Sequence, residues 1–167
     1  IGKPEVLDWT ADQLKVLLSQ VVDPEIPVLN IVDLGVLRSI TNNGDCRDIA
    51  ITPTYSGCPA VQTFVEDIST LLHGHGMHNF RVTIQLAPAW TSSWLSPQAK
   101  QKLFDYGIAP PDEAVEKKAC FASGFEGVSC PHCNSHNTKQ ISYYGSTACK
   151  ALHQCRDCLE PFDYFKC

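Results

Sequence analysis

The chain is poor in the features that mark membrane, secreted and nucleic-acid-binding proteins. No apolar run approaches the roughly 18 residues that suggest a membrane span, and no charged-then-apolar N-terminus resembles a signal peptide, so no membrane partner and a cytoplasmic location are expected. Positive charge is also scarce: 13 Lys and Arg stand against 18 Asp and Glu, for a net charge of −5. That balance opposes attraction to phosphate backbones and argues against a general nucleic-acid binder. There is no Glu-x-x-His pair of the kind that builds di-iron sites in helix bundles, and no glycine-rich dinucleotide fingerprint. Oxygen activation and electron entry through a nicotinamide cofactor are therefore not expected of this chain.

Cysteine, by contrast, is abundant. Nine occur in 167 residues, and seven of them lie between Cys120 and Cys167. Clustering at one end without a secretion signal favours metal binding over a disulfide framework. The length suits one ordinary domain plus a small appendage, and 44% hydrophobic residues suffice for a packed core.

Within the cluster, Cys130-Pro131-His132-Cys133 and Cys155-Arg156-Asp157-Cys158 form two Cys-x-x-Cys knuckles with 21 residues between them. A knuckle turns tightly enough to aim two sulfurs at one ion, and two knuckles close a tetrahedral four-thiolate shell. The spacing is near that of zinc sites, so a structural zinc on Cys130, Cys133, Cys155 and Cys158 is expected, with iron as the alternative for the same ligands. A segment of about 40 residues has too little core to fold without such a staple. Asn134 can take the left-handed conformation that follows a knuckle; Leu159 fits it less easily. His132, His136 and His153 are candidate stand-ins, but four cysteines leave no vacancy. Cys120, Cys149 and Cys167 are expected to be structural or incidental. From Val128 onward four basic residues face three acidic ones, so no basic stripe exists to hold nucleic acid.

A second candidate lies at Thr52-Pro53-Thr54-Tyr55-Ser56-Gly57-Cys58-Pro59-Ala60. Asp48 to Thr52 has the alternation of a strand, and Val61, Phe64, Val65, Ile68, Leu71 and Leu72 repeat at helical spacing. With Pro59 at the first helical position, Cys58 becomes the N-cap, where unpaired amides and the helix dipole favour a thiolate. That predicts a soft metal ligand or a nucleophile.

The rest of the chain frames this loop. Thr10, Gln13 and Trp9 announce a capped helix carrying Leu14, Leu17, Leu18 and Val21, expected to stop near Val22 because of Pro24. Asp23 and Glu25 sit in a rigid acidic turn, where Asp commonly serves local backbone amides. Val36–Ile40 and Asp48–Thr52 read as a hairpin around Asn43-Gly44, with an antiparallel third strand at Val82, Ile84 and Leu86. His73, His75 and His78 are read as a helix end rather than a metal site. Trp90 and Trp94 are read as packed on the sheet, with a partner surface as the alternative, and Ser96-Pro97 opens a further helix. The expected architecture is α+β: a mixed domain of about three strands and three helices at 1–109, a linker at 110–127, and a small β-rich ribbon at 128–167.

Asp23-Pro24-Glu25-Ile26-Pro27, Asp33-Leu34-Gly35 and the Thr52–Pro59 stretch resemble the metal-sulfur cluster assembly domain of SufT-type proteins. With Ala87-Pro88-Ala89-Trp90-Thr91, Tyr106–Pro111, the two knuckles, Gly145–Ala151 and Glu160–Lys166, nearly the whole chain resembles the phenylacetate-degradation protein D family. The resemblance implies an accessory or maturation subunit of the bacterial 1,2-phenylacetyl-CoA epoxidase, in aerobic phenylacetate catabolism. It implies delivery of iron or an iron-sulfur cluster, with Cys58 at the position of the reactive cysteine and Asp23 and Glu25 as assisting candidates. The alternative is a stable structural subunit without metal transfer. Other epoxidase components, oxygenase or reductase, are the implied partners, with a homodimer left open. Catalysis by this chain alone is not expected, since no histidine is tied by spacing to Cys58 as a base.

Overall fold

The computed structural model describes residues 9–113 and 127–166, which divide into a unit ending at Trp90 and a second unit beginning at Thr91.

In the first unit, α1 (Ala11–Leu18) opens with the expected capping box: the Thr10 hydroxyl accepts from the Gln13 amide at 3.2 Å, and the Gln13 side chain accepts from the Thr10 amide at 2.8 Å. Its buried face is Leu14, Leu17 and Leu18. The helix stops at Leu18, a turn earlier than expected. Ser19 caps it, with its hydroxyl donating to the Val16 carbonyl at 2.6 Å, and Val22 is already extended in a bridge with Asn30.

Two strands, β1 (Leu37–Asn43) and β2 (Cys46–Ile51), form the expected hairpin, and Gly44 takes the left-handed φ of 63° at its tip. Helix α2 (Ala60–Gly74) then crosses over to β3 (Phe80–Ile84), giving the order β1-β2-β3. The β2–β3 pairing is parallel, which corrects the antiparallel expectation. A helix of this length carries the chain back to the starting edge, so the next strand runs in the same direction, as in any βαβ unit. Phe64, Ile68 and Leu72 of α2 are buried, as are Ile49 and Ile51 of β2. Trp90 is buried as expected, its indole N–H donating to the Leu34 carbonyl at 2.7 Å.

The second unit starts with a short 3-10 turn (Ser92–Trp94) and α3 (Pro97–Asp105), capped by the Ser96 hydroxyl, which accepts from the Ala99 amide at 3.0 Å. Strands β4 (Ile108–Ala109), β5 (Thr138–Ser142), β6 (Lys150–Cys155) and β7 (Pro161–Phe165) form a sheet in the order β4-β7-β6-β5. Because Ile108 and Ala109 pair with Asp163 and Tyr164, residues 91–109 group with the ribbon rather than with the first domain. Most of the expected linker, 114–126, lies outside the described residues. The core here is Ala109, Val128, Cys130, Ala151, Cys155, Phe162 and Tyr164.

Candidate metal centre and reactive thiol

Each Cys-x-x-Cys turn is built by backbone hydrogen bonds from the residues that follow it. The Asn134 amide donates to the Cys130 carbonyl at 2.8 Å, and the Cys130 amide donates to the Ser135 carbonyl at 2.9 Å. In the second knuckle the Cys155 amide donates to the Glu160 carbonyl at 3.0 Å. Both turns close through a left-handed residue, Asn134 at φ 63° and Leu159 at φ 67°. Leucine is the costly choice of the two, since its Cβ crowds the following carbonyl there.

These turns bring all four sulfurs within 4.8 Å of one another. Cys130 and Cys158 are 3.8 Å apart and Cys133 and Cys155 3.5 Å, each pair taking one thiol from each knuckle. A tetrahedron of thiolates at the usual zinc–sulfur length has edges of about 3.8 Å, so the donor set fits a zinc-sized ion. Cys130 and Cys155 are fully buried, Cys158 is partly buried and Cys133 is exposed.

Backbone dipoles favour charge on these sulfurs. The amides of Asp157 and Cys158 point at the Cys155 sulfur from 3.4 and 3.5 Å. With the Cys158 amide contributing most, they bring the Cys155 thiol down to about 6. For Cys158 the Glu160 amide acts in the same sense, but burial and the thiols of Cys133, Cys155 and Cys130 together outweigh it and push the group up. Burial raises Cys130. The backbone donors thus favour a thiolate at Cys155, and a bound cation would favour the thiolate form of all four.

Around this centre the second knuckle is tied to the tail of the first. Asp157 accepts from the Ser135 hydroxyl and, at 2.7 Å, from the Asn137 amide group, which hold its carboxyl below the usual range. The histidines considered as stand-ins do not join the cluster. His136 meets the Gly127 carbonyl, and His132 is exposed. His153 is fully buried, and neither ring nitrogen has a hydrogen-bond partner among the described residues. It packs on Phe162 and Tyr164, and burial lowers it to about 4, so it is a neutral ring in the core.

Cys58 lies where the β2–α2 loop meets the helix, partly buried, its amide donating to the Tyr55 carbonyl at 3.1 Å. It is not the N-cap. Pro59 already has helical geometry (φ −68°, ψ −20°) and occupies that position without a side-chain cap, so the thiol stands one residue outside the first turn. The Cys58 carbonyl still accepts from the Val61 amide at 3.3 Å, which keeps the residue attached to the helix start.

Asp23 is buried, its Oδ1 accepting from the amides of Glu25 and Ile26 at 2.8 and 2.9 Å, while Glu25 is partly exposed. Among the described residues the four ribbon cysteines are the one group of three or more potential ligands brought together, so Cys58, Asp23 and Glu25 form no such set. His73, His75 and His78 form none either; His73 and His78 stack on each other with centroids 5.4 Å apart. Cys149 is a buried thiol beside the Thr147 hydroxyl, whereas Cys120 and Cys167 lie outside the described residues.

Sequence reasoning passed over Thr52. It is 2% exposed, and its hydroxyl has no hydrogen-bond partner among the described residues, at the point where β2 gives way to the Cys58 loop. Nothing in the spacing singles it out; it reads as one more strand residue.

Two family models match the two modules. Residues 11–75 match an iron-sulfur cluster assembly protein model and residues 117–166 a PaaD zinc beta ribbon domain. The chain is 49% identical over 151 residues to an Escherichia coli (strain K12) protein named as the D subunit of a 1,2-phenylacetyl-CoA epoxidase, covering 90% of this chain and 89% of that one. The chain belongs to the family of phenylacetyl-CoA epoxidase D subunits. Among solved structures, the crystal structure of a DUF59 domain from Bacillus anthracis is similar to it, 28% identical, covering 56% of this chain and 90% of that chain with a TM-score of 0.52. A conserved hypothetical protein from Thermotoga maritima is 25% identical, covering 57% of this chain and 94% of that one with a TM-score of 0.48. The zinc beta ribbon match spans the four-cysteine cluster, whose donor set could hold a metal ion. No helix among the described residues is long and apolar enough to cross a membrane.

Proposed function

We propose that this chain is an accessory or maturation subunit of a bacterial 1,2-phenylacetyl-CoA epoxidase and assists delivery of iron or an iron-sulfur cluster to that enzyme. The observation that carries this reading is a division of labour between thiols. One module holds a complete four-sulfur set, while the assembly-type module holds two partly buried cysteines, Cys46 at the start of β2 and Cys58 at the loop–helix junction, neither of which is gathered into a set of three or more ligands among the described residues.

A complete set retains its ion; an incomplete one can bind and release. In this reading Cys130, Cys133, Cys155 and Cys158 hold a resident zinc, which supplies the second unit with the staple that its small core requires. Cys58 supplies one thiolate to an incoming iron or cluster, and the remaining coordination positions stay open to the donor or recipient. Asp23 fixes the acidic turn through the Glu25 and Ile26 amides, and Glu25, partly exposed, is the second carboxylate of that turn and assists. The cargo is a substrate of the protein rather than its cofactor.

Reconstitution tests this. Epoxidase matured with Cys58→Ser protein is expected to reach well under a tenth of the wild-type activity, and equal activity would defeat the delivery role.

A second reading, a stable structural subunit, is favoured by exposed apolar side chains. Ile84 and Leu86 in the first unit are 51% and 58% exposed, and Tyr143 and Tyr144 in the second are 51% and 68% exposed. Such residues suit a partner surface. This reading expects stoichiometric co-purification with the oxygenase and unimpaired function of Cys58→Ser. Recovery of fully active epoxidase lacking this chain would count against it.

A further inference from the structure

We infer that Asp157 is a positioning residue for the metal: its carboxylate locks the second knuckle onto the tail of the first and thereby sets how fast the four thiolates release their ion. The inference rests on the reading of Cys130, Cys133, Cys155 and Cys158 as metal ligands.

Asp157 lies between two of those cysteines in the sequence, yet its side chain is engaged elsewhere. Its two oxygens accept from Ser135 and Asn137, 22 and 20 residues away and just beyond Cys133. Both partners are themselves held in place. The Ser135 hydroxyl accepts from the Asn137 amide at 3.0 Å, the Ser135 carbonyl accepts from the Cys130 amide at 2.9 Å, and the Asn137 carbonyl accepts from the Arg156 amide at 2.8 Å. On the other side, the Asp157 backbone N–H points at the Cys155 sulfur from 3.4 Å. One residue therefore joins the flank of the first knuckle to a ligand sulfur of the second.

Charge would not select a carboxylate at this place. Zinc with four thiolates carries about two negative charges, and an anion alongside weakens it, though an exposed anion does so only slightly through water and salt. What the carboxylate offers is geometry. It is acceptor-only, and its two oxygens meet two donors at once. Outer residues that orient ligands typically change metal affinity by about 10- to 100-fold when removed.

The test uses the full chain loaded with zinc, with release followed by a chromogenic chelator in excess, and a parallel cobalt(II)-substituted sample followed by absorption. Asp157→Ala should release zinc at least tenfold faster. Asp157→Asn, which keeps one acceptor oxygen, should fall between it and the wild type. The double variant Asp157→Ala with Ser135→Ala should release no faster than Asp157→Ala alone. The cobalt bands of Asp157→Ala should stay in the four-thiolate region but broaden, and sharpen again in Asp157→Asn.

Equal release rates for wild type and Asp157→Ala would overturn the inference, as would fully additive effects in the double variant. If Asp157→Ala does not fold, Ser135→Ala and Asn137→Ala each remove one donor, and wild-type rates in both would overturn it as well. A wild-type protein without stoichiometric zinc and without a four-thiolate cobalt spectrum would instead overturn the metal reading on which the inference stands.

Discussion

The sulfurs of Cys130 and Cys158 lie 3.8 Å apart although 28 residues separate them, and that approach organises the second unit. The core beside it is small, with Cys130 and Cys155 themselves among its buried members. The four-sulfur cluster and the core are thus parts of one structure. Replacing either Cys130 or Cys158 by Ser should reduce zinc from about one per chain to near zero and abolish the cooperative unfolding of this unit, because apo zinc modules typically do not fold. Metal analysis with calorimetry checks both, and a zinc-free variant that melts like the wild type would contradict it.

His153 gives a pH-dependent prediction. Burial lowers its folded value to about 4 from an ordinary 6.5, so between those values the unfolded chain binds a proton that the folded chain does not. Its contribution is intact above pH 6.5 and is lost as the pH falls towards 4, up to about 3 kcal/mol in all. His153→Leu removes two buried nitrogens that have no hydrogen-bond partner among the described residues and should flatten that slope. Chemical denaturation of zinc-saturated wild type and variant at about pH 7 and about pH 5.5, either side of the unfolded value, measures the difference; identical pH dependence would refute it.

Leu159 holds a left-handed backbone with its side chain 67% exposed, so little packing compensates the strain. Leu159→Gly should raise the stability of the zinc-loaded second unit by about 1 kcal/mol. An unchanged or lower denaturation midpoint would mean that the side chain contributes more than its exposure suggests.

Asp23 separates scaffolding from chemistry. Asp23→Ala leaves the Glu25 and Ile26 amides without their acceptor and should cost about 1–3 kcal/mol, while Asp23→Asn, which retains an amide oxygen, should cost less than half of that. Thermal unfolding checks the pair. If Asp23→Asn is stable and matures the epoxidase normally, Asp23 acts only on the loop.

What was legible in the sequence follows how local each determinant is. The capping box at Thr10, the Ser96-Pro97 helix start and the knuckles depend on residues within a few positions, and each stands where its motif placed it. The direction of β3 depends on what α2 does in space, and its alternation is the same in either sense, so the pattern could not exclude antiparallel pairing. Ile108-Ala109 is too short to announce itself as a strand, and only its pairing with β7 assigns it to the ribbon. Near Cys58 the difference is one residue: the cap falls on Pro59 rather than Cys58, within the one or two residues by which helix ends read from local signals commonly differ. The Thr52 hydroxyl, without a hydrogen-bond partner among the described residues, and the contacts of Asp157 with Ser135 and Asn137 were beyond reach, because burial and pairing between distant residues leave no local pattern.

The most direct test of the delivery role is iron retention at Cys58 itself. Zinc-saturated wild type and Cys58→Ser are incubated anaerobically with radiolabelled ferrous iron and sulfide, desalted, and mixed with apo-epoxidase components. Wild type should retain iron and pass it to the recipient, while Cys58→Ser, its ribbon zinc intact, should retain less than a tenth as much. Equal retention and transfer by Cys58→Ser would contradict the account.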